Sequence, residues 1–235
     1  MTPLGEFLVW TLMLVPALLV AIPVHEMGHA AAAYFQGDRS VRYFGYFTLN
    51  PRRFLDTLGV LAVFIALVGW GKRVPVQPNR ISTMRQRIIF ALGGPAANLL
   101  TAVVLGFVLR ALIAIHIAPT PTLSPGLLAF AVYAIVFLNL SIFAFQLLPI
   151  PGLDGWDVVE TLFRSRNARF FYNVSVRRRE ILIGAVVVIV VGSLFHIPVL
   201  SLVMSPFYTP ASLISFGQCI GYGVPGFNQL IPCLV

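Results

Sequence analysis

Thr57-Leu58-Gly59-Val60-Leu61-Ala62-Val63-Phe64-Ile65-Ala66-Leu67-Val68-Gly69-Trp70 carries no charge over its 14 residues, and whether it crosses a membrane decides the fold around it. A helix needs about 20 apolar residues to span a hydrocarbon core of about 30 Å, so a stretch this short reads as re-entrant or buried. Its neighbours are longer. Residues 7–24 are free of charge and extend helically through Ala30-Ala31-Ala32-Ala33 to Tyr34, with bends expected at Pro16 and Pro23. Residues 88–109 and 126–148 read as two further spans, separated by the proline-rich connection 118–125, and a fourth span begins at Ile181.

Composition agrees with spans. The chain of 235 residues is 58% hydrophobic and 10% charged, with a mean hydropathy of +0.90, outside the balance of a soluble domain. The net charge of +8 is not a nucleic-acid footprint, because the basic residues gather in inter-helix stretches as expected of cytoplasmic loops. Residues 36–56, 71–87 and 151–180 carry four, five and six of the sixteen basic side chains, and Arg110 is the remainder. If residues 57–70 spanned, these stretches would fall on opposite sides. If the segment dips in and returns, all three share one side, and Arg110 alone snorkels from the other. The charge pattern therefore predicts a re-entrant element. The first apolar run lacks a basic leader and a small-residue cleavage site, so it reads as a retained signal anchor. Arg177-Arg178-Arg179 reads as a stop-transfer anchor to anionic lipid.

The expected fold is an all-α multi-pass membrane protein, a bundle of about four to six transmembrane segments with a re-entrant element. A short β-hairpin is expected over Val41-Arg42-Tyr43-Phe44-Gly45-Tyr46-Phe47-Thr48, turning near Gly45, where an edge could accept an extended peptide; an interfacial aromatic belt fits the same residues. Residues 1–235 read as one membrane-embedded domain, with a catalytic core over about 7–160 and a C-terminal membrane segment and uncharged tail over 181–235. Cys219 and Cys233 have no zinc-knuckle spacing.

The chemistry sits at the end of the first span. In His25-Glu26-Met27-Gly28-His29 the histidines four apart share a helix face and can bind one zinc ion, and the glutamate between them can move the proton of an attacking water. A catalytic zinc takes three protein ligands. His116 and His196 lie at far ends of spans, at the wrong depth. Carboxylates on the correct side remain. Asp154 follows Leu147-Leu148-Pro149-Ile150-Pro151-Gly152-Leu153, where two prolines break the helix and let the backbone aim the carboxylate inward; Asp157 and Glu160 are substitutes deeper in the polar loop.

Four pieces in order resemble the site-2 protease family of intramembrane zinc metalloproteases: the His25–His29 motif, Asn50-Pro51 followed by Asp56, Gly93-Gly94-Pro95-Ala96-Ala97-Asn98, and the proline-rich stretch ending Asp154-Gly155. They cover about residues 10 to 160. Gly69-Trp70-Gly71-Lys72-Arg73-Val74-Pro75-Val76 also looks like the compact prokaryotic branch without a PDZ domain. The resemblance implies His25, His29 and Asp154 as zinc ligands, Glu26 as general acid/base and Asn98 near the site, where a buried amide linking helices is the plainer reading. Members commonly carry Asn before Leu-Leu-Pro. This chain has Gln146, one methylene longer, which bears on substrate positioning rather than on zinc.

The function this implies is hydrolysis of peptide bonds in or near transmembrane segments of membrane proteins. The expected cofactor is Zn2+ and the expected partners are a transmembrane protein or peptide and the lipid bilayer, with no nucleic acid. The expected location is a prokaryotic plasma membrane, with the site toward the cytoplasm. A catalytically silent zinc-binding membrane subunit is the alternative, against which Glu26 argues. A prenyl-protein peptidase would need Glu160 as a ligand, and a transporter would show internal repeats.

Overall fold

The computed structural model describes residues 2–48, 50–120, 126–195 and 199–217, and these residues form helices with no sheet. Helix α1 (Pro3–Phe35) starts where the Thr2 hydroxyl accepts from the Gly5 N–H at 3.3 Å, and it contains both Pro16 and Pro23. It is apolar all round, as a helix facing partners on one side and lipid on the other should be. α4 (Met84–Ala114) begins at a capping box in which Thr83 and Gln86 satisfy each other's backbone N–H groups, and α5 (Gly126–Gln146) follows. Stretches Leu4–Phe35, Met84–Ala114 and Gly126–Gln146 are long and apolar enough to cross a membrane. The chain is an integral membrane protein.

α1, α4 and α5 pack against one another and form the core. Where α1 crosses α4, a Cβ on Gly28 would overlap the Gly93 carbonyl, and one on Gly93 would lie 2.8 Å from the Gly28 carbonyl oxygen. The two backbones touch because neither has a side chain there. α8 (Arg178–Leu194) and α9 (Val199–Phe216) follow, α9 packing on α4 and α5 and α8 on the short helix over Thr57–Ala66. α8 takes up Arg178, Arg179 and Glu180, which the charge pattern had left in the preceding loop.

The segment that decides the topology forms a short helix, α3 (Thr57–Ala66), of 10 residues. At 1.5 Å per residue it is about 15 Å long, half a hydrocarbon core. The Asp56 carboxylate accepts from the Leu58 and Gly59 N–H groups at 3.1 Å and starts it. Leu67 ends it in a left-handed conformation (φ 58°). The chain then folds back along α3, so close that a Cβ on Gly59 would overlap the Trp70 carbonyl oxygen. Its two ends meet. Leu55 pairs with Gly71 as an isolated antiparallel bridge, and the Lys72 N–H donates to the Phe54 carbonyl at 2.7 Å.

The β-hairpin expected over 41–48 is not there. Ser40–Tyr43 form a helical turn, α2, and Gly45 carries a positive φ of 69° in the turn after it. The aromatic residues are used otherwise: Tyr46 lies tilted against Phe54 at 6.1 Å and beneath the Arg53 guanidinium at 4.8 Å, and Phe47 meets Tyr34 at 5.7 Å. Asp38 supplies the local cause. Its carboxylate accepts from the Ser40 N–H at 3.1 Å and the Ser40 hydroxyl at 2.5 Å, which favours a turn over a strand at that point. Cys219, Cys233, His196 and the tail beyond 217 lie outside the described residues.

Candidate metal centre

His25 and His29 fall one turn apart on α1, on the face turned toward α4, and both are buried. Asp154 reaches them from α6 (Asp154–Phe163), of which it is the first residue. α5 stops at Gln146, the prolines redirect the chain, and Gly155 lets α6 start hard against the Leu147 and Leu148 carbonyls. The helix is broken as the two prolines require, but Asp154 sits in the first turn of a new helix rather than on unwound backbone.

Three ligand atoms converge. The His25 and His29 Nε2 atoms are 3.1 Å apart, and Asp154 Oδ2 lies 3.0 Å from the first and 3.2 Å from the second. Zinc bonds of about 2.0 Å at tetrahedral angles place donor atoms about 3.3 Å apart, close to this triangle. The tautomers agree as well. Asn98 spends its Nδ2 protons on the Ala21 carbonyl at 2.9 Å and on Asn139 Oδ1 at 2.8 Å, so its Oδ1, 2.6 Å from His25 Nδ1, accepts the imidazole proton. His29 Nδ1 donates to the Phe90 carbonyl at 2.8 Å. With both Nδ1 atoms protonated, the neutral imidazoles turn lone pairs toward a carboxylate oxygen that has no hydrogen-bond donor of its own. A cation among the three satisfies all of these lone pairs at once. His25, His29 and Asp154 are thus placed to bind a metal ion.

Gly94 makes the space. A Cβ there would overlap His29 Nε2 and lie 2.7 Å from His25 Nε2. Glu26 is buried beside the cluster with Oε2 unpartnered, and its other oxygen lies over Gly71, where any side chain would collide with it. A cavity of about 550 Å³ opens onto the two histidines, Glu26 and Asp154, walled on the far side by Trp70 and the chain that follows it.

Gln146 also lines this cavity, and its Nε2 donates to the Gly69 carbonyl at 3.3 Å, tying the end of α5 to the chain returning from α3. Asp157 and Glu160 are occupied elsewhere. Arg73 donates to Asp157 Oδ2 at 2.7 Å and to the Gly152 carbonyl at 2.8 Å, while Arg164 holds Glu160 at 3.3 Å. Burial pushes the Asp157 carboxyl above its ordinary value; Arg73 pulls the other way and Asp154 adds to the rise. His116 is exposed past the end of α4, roughly 30 Å of helix from Gly94 at 1.5 Å per residue. Asn98 is at once the amide linking helices and the partner of a ligand-bearing histidine. Asn139 was missed as a site residue: it stands two turns before Gln146, and only its contact with Asn98 across the helix interface gives it a part. Asn50 and Asp56, two of the family-like residues, are helix caps.

The family model for peptidase family M50 matches residues 13–114, which hold the histidine motif and Asn98 but not Asp154. The chain is 34% identical over 165 residues to "Putative zinc metalloprotease YwhC" of Bacillus subtilis, covering 68% of this chain and 74% of that protein. It is 36% identical over 164 residues to "Putative zinc metalloprotease Rip2" of Mycobacterium tuberculosis (strain ATCC 25618 / H37Rv), covering 67% and 60%. The protein of the same name in Mycolicibacterium smegmatis is 36% identical over 155 residues, covering 63% and 56%. The chain therefore spans less than two thirds of the length of the two mycobacterial relatives. No solved structure matches it.

Proposed function

The chain belongs to peptidase family M50, the site-2 protease family, and from that premise we propose that it is an intramembrane zinc endopeptidase cutting peptide bonds in or beside transmembrane segments of other proteins. The observation that carries this reading is the convergence of three lone-pair donors, His25, His29 and Asp154, beside a buried Glu26 whose Oε2 has no hydrogen-bond partner among the described residues, all set among membrane helices. A metal scaffold needs the first three groups. It has no use for the fourth.

Zinc, when bound, supplies a Lewis acid that activates a water and polarises the scissile carbonyl. His25, His29 and Asp154 hold it, with Asn98 and Phe90 fixing the imidazoles. Glu26 takes the proton of the attacking water and delivers it to the leaving amine. Its burial keeps competing donors away, and its approach to Gly71 ties its position to the chain returning from α3. A substrate helix hides its carbonyls in intrahelical bonds, so the cleaved segment must unwind first, and small or helix-breaking residues near the cut favour that. Gln146 borders the cavity as a positioning group.

The same premise sets the topology. α3 with its return is a re-entrant element, which the pairing of its two ends at Leu55 and Gly71 supports. The basic loops then share the cytoplasmic side of a prokaryotic plasma membrane, and the site opens toward them. α8 and α9 are read as further crossings of one membrane-embedded domain, beyond the three helices long and apolar enough to span.

Metal content and cleavage of a transmembrane peptide, measured on wild type and Glu26→Gln in the same bilayer, test the reading. Zinc at about one per chain is expected in both, with cleavage reduced at least about 10²-fold in the variant. Equal cleavage would remove Glu26 from the mechanism. Zinc without cleavage of varied peptides by wild type would favour the silent subunit.

A further inference from the structure

Cations and carboxylates line the cavity in equal number, but most of the carboxylates are engaged away from the cations. Lys72 and Arg73 reach it from the chain after α3, and Arg178 and Arg179 from the first turn of α8. Four carboxylates line it as well. Asp56 caps α3, Asp154 faces the imidazoles, Glu26 is buried beside them, and Asp157 is held by Arg73. Among the described residues Lys72, Arg178 and Arg179 have no carboxylate within ion-pair distance, and Arg178 acts on the Arg73-bound Asp157 only at longer range. Helix stability does not explain the two arginines, because the N-terminal end of a helix disfavours cations. The positive-inside bias explains the sign of the loop but not its concentration here: Arg164, Arg166 and Arg169 are in the same loop and lie outside the cavity.

We propose that Lys72, Arg178 and Arg179 form an anion-recognition wall that selects substrates bearing acidic side chains next to the segment to be cut. The inference rests on the peptidase reading. An unwound peptide that presents a carbonyl to the cluster must lay its flanking residues along the cavity wall. Carboxylates there meet three exposed cations gathered on one concave wall, where like charges add their fields and gather anions. A lipid phosphate has the same charge, but the cavity that holds these cations also holds Glu26, so an occupant reaching both is a peptide rather than a headgroup.

The test uses three transmembrane peptides identical except for glutamate, glutamine or lysine flanks, given to the full chain in phosphatidylcholine nanodiscs at low salt. The glutamate peptide is expected to be cut with a kcat/KM about ten-fold above the lysine peptide, the difference residing in KM. Arg178→Glu/Arg179→Glu should invert that order. Lys72→Glu, outside any helix terminus, should narrow it even if the double variant fails to insert. Equal cleavage of all three peptides, an order that survives charge reversal, or one that changes with added phosphatidylglycerol instead of with the flank, would overturn the wall. Binding of the same peptides to Glu26→Gln separates the two ideas. An acidic preference in binding with no cleavage by wild type keeps the wall and removes the peptidase; cleavage without any preference does the reverse.

Discussion

The floor and the mouth of the cavity are built to opposite specifications. On the floor, α1, α4 and α5 meet through glycines, and the amides behind His25 are matched: His25 to Asn98, Asn98 to Asn139 and Ala21, Asn139 to the Ile135 carbonyl at 2.8 Å. At the mouth, among the described residues, three cations have no carboxylate within ion-pair distance, while Arg73 is tied to Asp157. A metal site tolerates only small errors in ligand position, so its supports are engaged internally. A binding surface must keep interactions unspent for what arrives. The difference teaches that unsatisfied groups carry meaning by location: a buried lone-pair cluster points to a metal, an exposed cation cluster to an anion.

The comparison breaks first at Gly94. Gly94→Ala places a methyl group against His29 Nε2 and 2.7 Å from His25 Nε2, so zinc is expected to fall well below one per chain by elemental analysis while helix content is kept. Gly184→Ala is the matched control, since a Cβ there meets nothing within 4 Å, and its zinc should be unchanged. Full zinc in Gly94→Ala would mean that the metal does not sit among these three ligands.

Next in size is Asn139→Leu. Without Asn139 Oδ1 the Asn98 amide is free to turn its Nδ2 toward His25, which would move the imidazole proton to Nε2 and take that atom from the metal. Zinc affinity is expected to fall about 10- to 100-fold, with the nitrogen shifts of His25 in the zinc-free protein moving from the Nδ1–H tautomer toward a mixture. Unchanged affinity and tautomer would reduce Asn139 to packing.

Both residues mark where sequence reading stops. The spans, the short α3 and the His25–Glu26–His29 face follow from apolar run length and a period of 3.6, which are properties of neighbouring residues. Asp154 was reachable because two prolines announce a broken helix on the basic side. Asn139 was not, since its partner is 41 residues away on another helix and nothing local distinguishes it from any polar residue in a span. The hairpin failed for a related reason: β-branched and aromatic residues at 41–48 favour strands, but the Asp38 carboxylate turns the backbone at Ser40, and the described residues hold no partner strand for an extended segment. Gly94 was visible as a small residue, yet helix packing and ligand clearance ask for the same residue type.

Arg73→Gln tests the border between floor and mouth. The guanidinium links the chain after α3 to Asp157 and Gly152, three residues and two residues from Asp154. The pair is partly exposed and worth at most about 1 kcal/mol, so a rise of about three-fold in KM is expected with zinc content intact. A fall in zinc equal to the loss of cleavage would move Arg73 to the floor, as a support of Asp154.

The smallest effect belongs to Asp38, which is remote from the metal and joins the turn after α1 to the loop before α4. Its carboxylate accepts from the Ser40 N–H and hydroxyl and, at 2.8 Å, from the Gln77 N–H. Burial works against its charge, but the Ser40 and Gln77 hydrogen bonds outweigh it and hold the carboxyl below its ordinary value. A depressed folded value means that the contribution is complete above the ordinary carboxylate range and is lost as pH falls through the folded value. Asp38→Asn should therefore cost about 1 kcal/mol at neutral pH, seen as a Tm lower by a few degrees in detergent, with zinc content unaltered. The gap to wild type should close as the pH is taken down into the acid range. A gap of constant size at every pH would show that the carboxylate's charge contributes nothing and that only the shape of the turn matters.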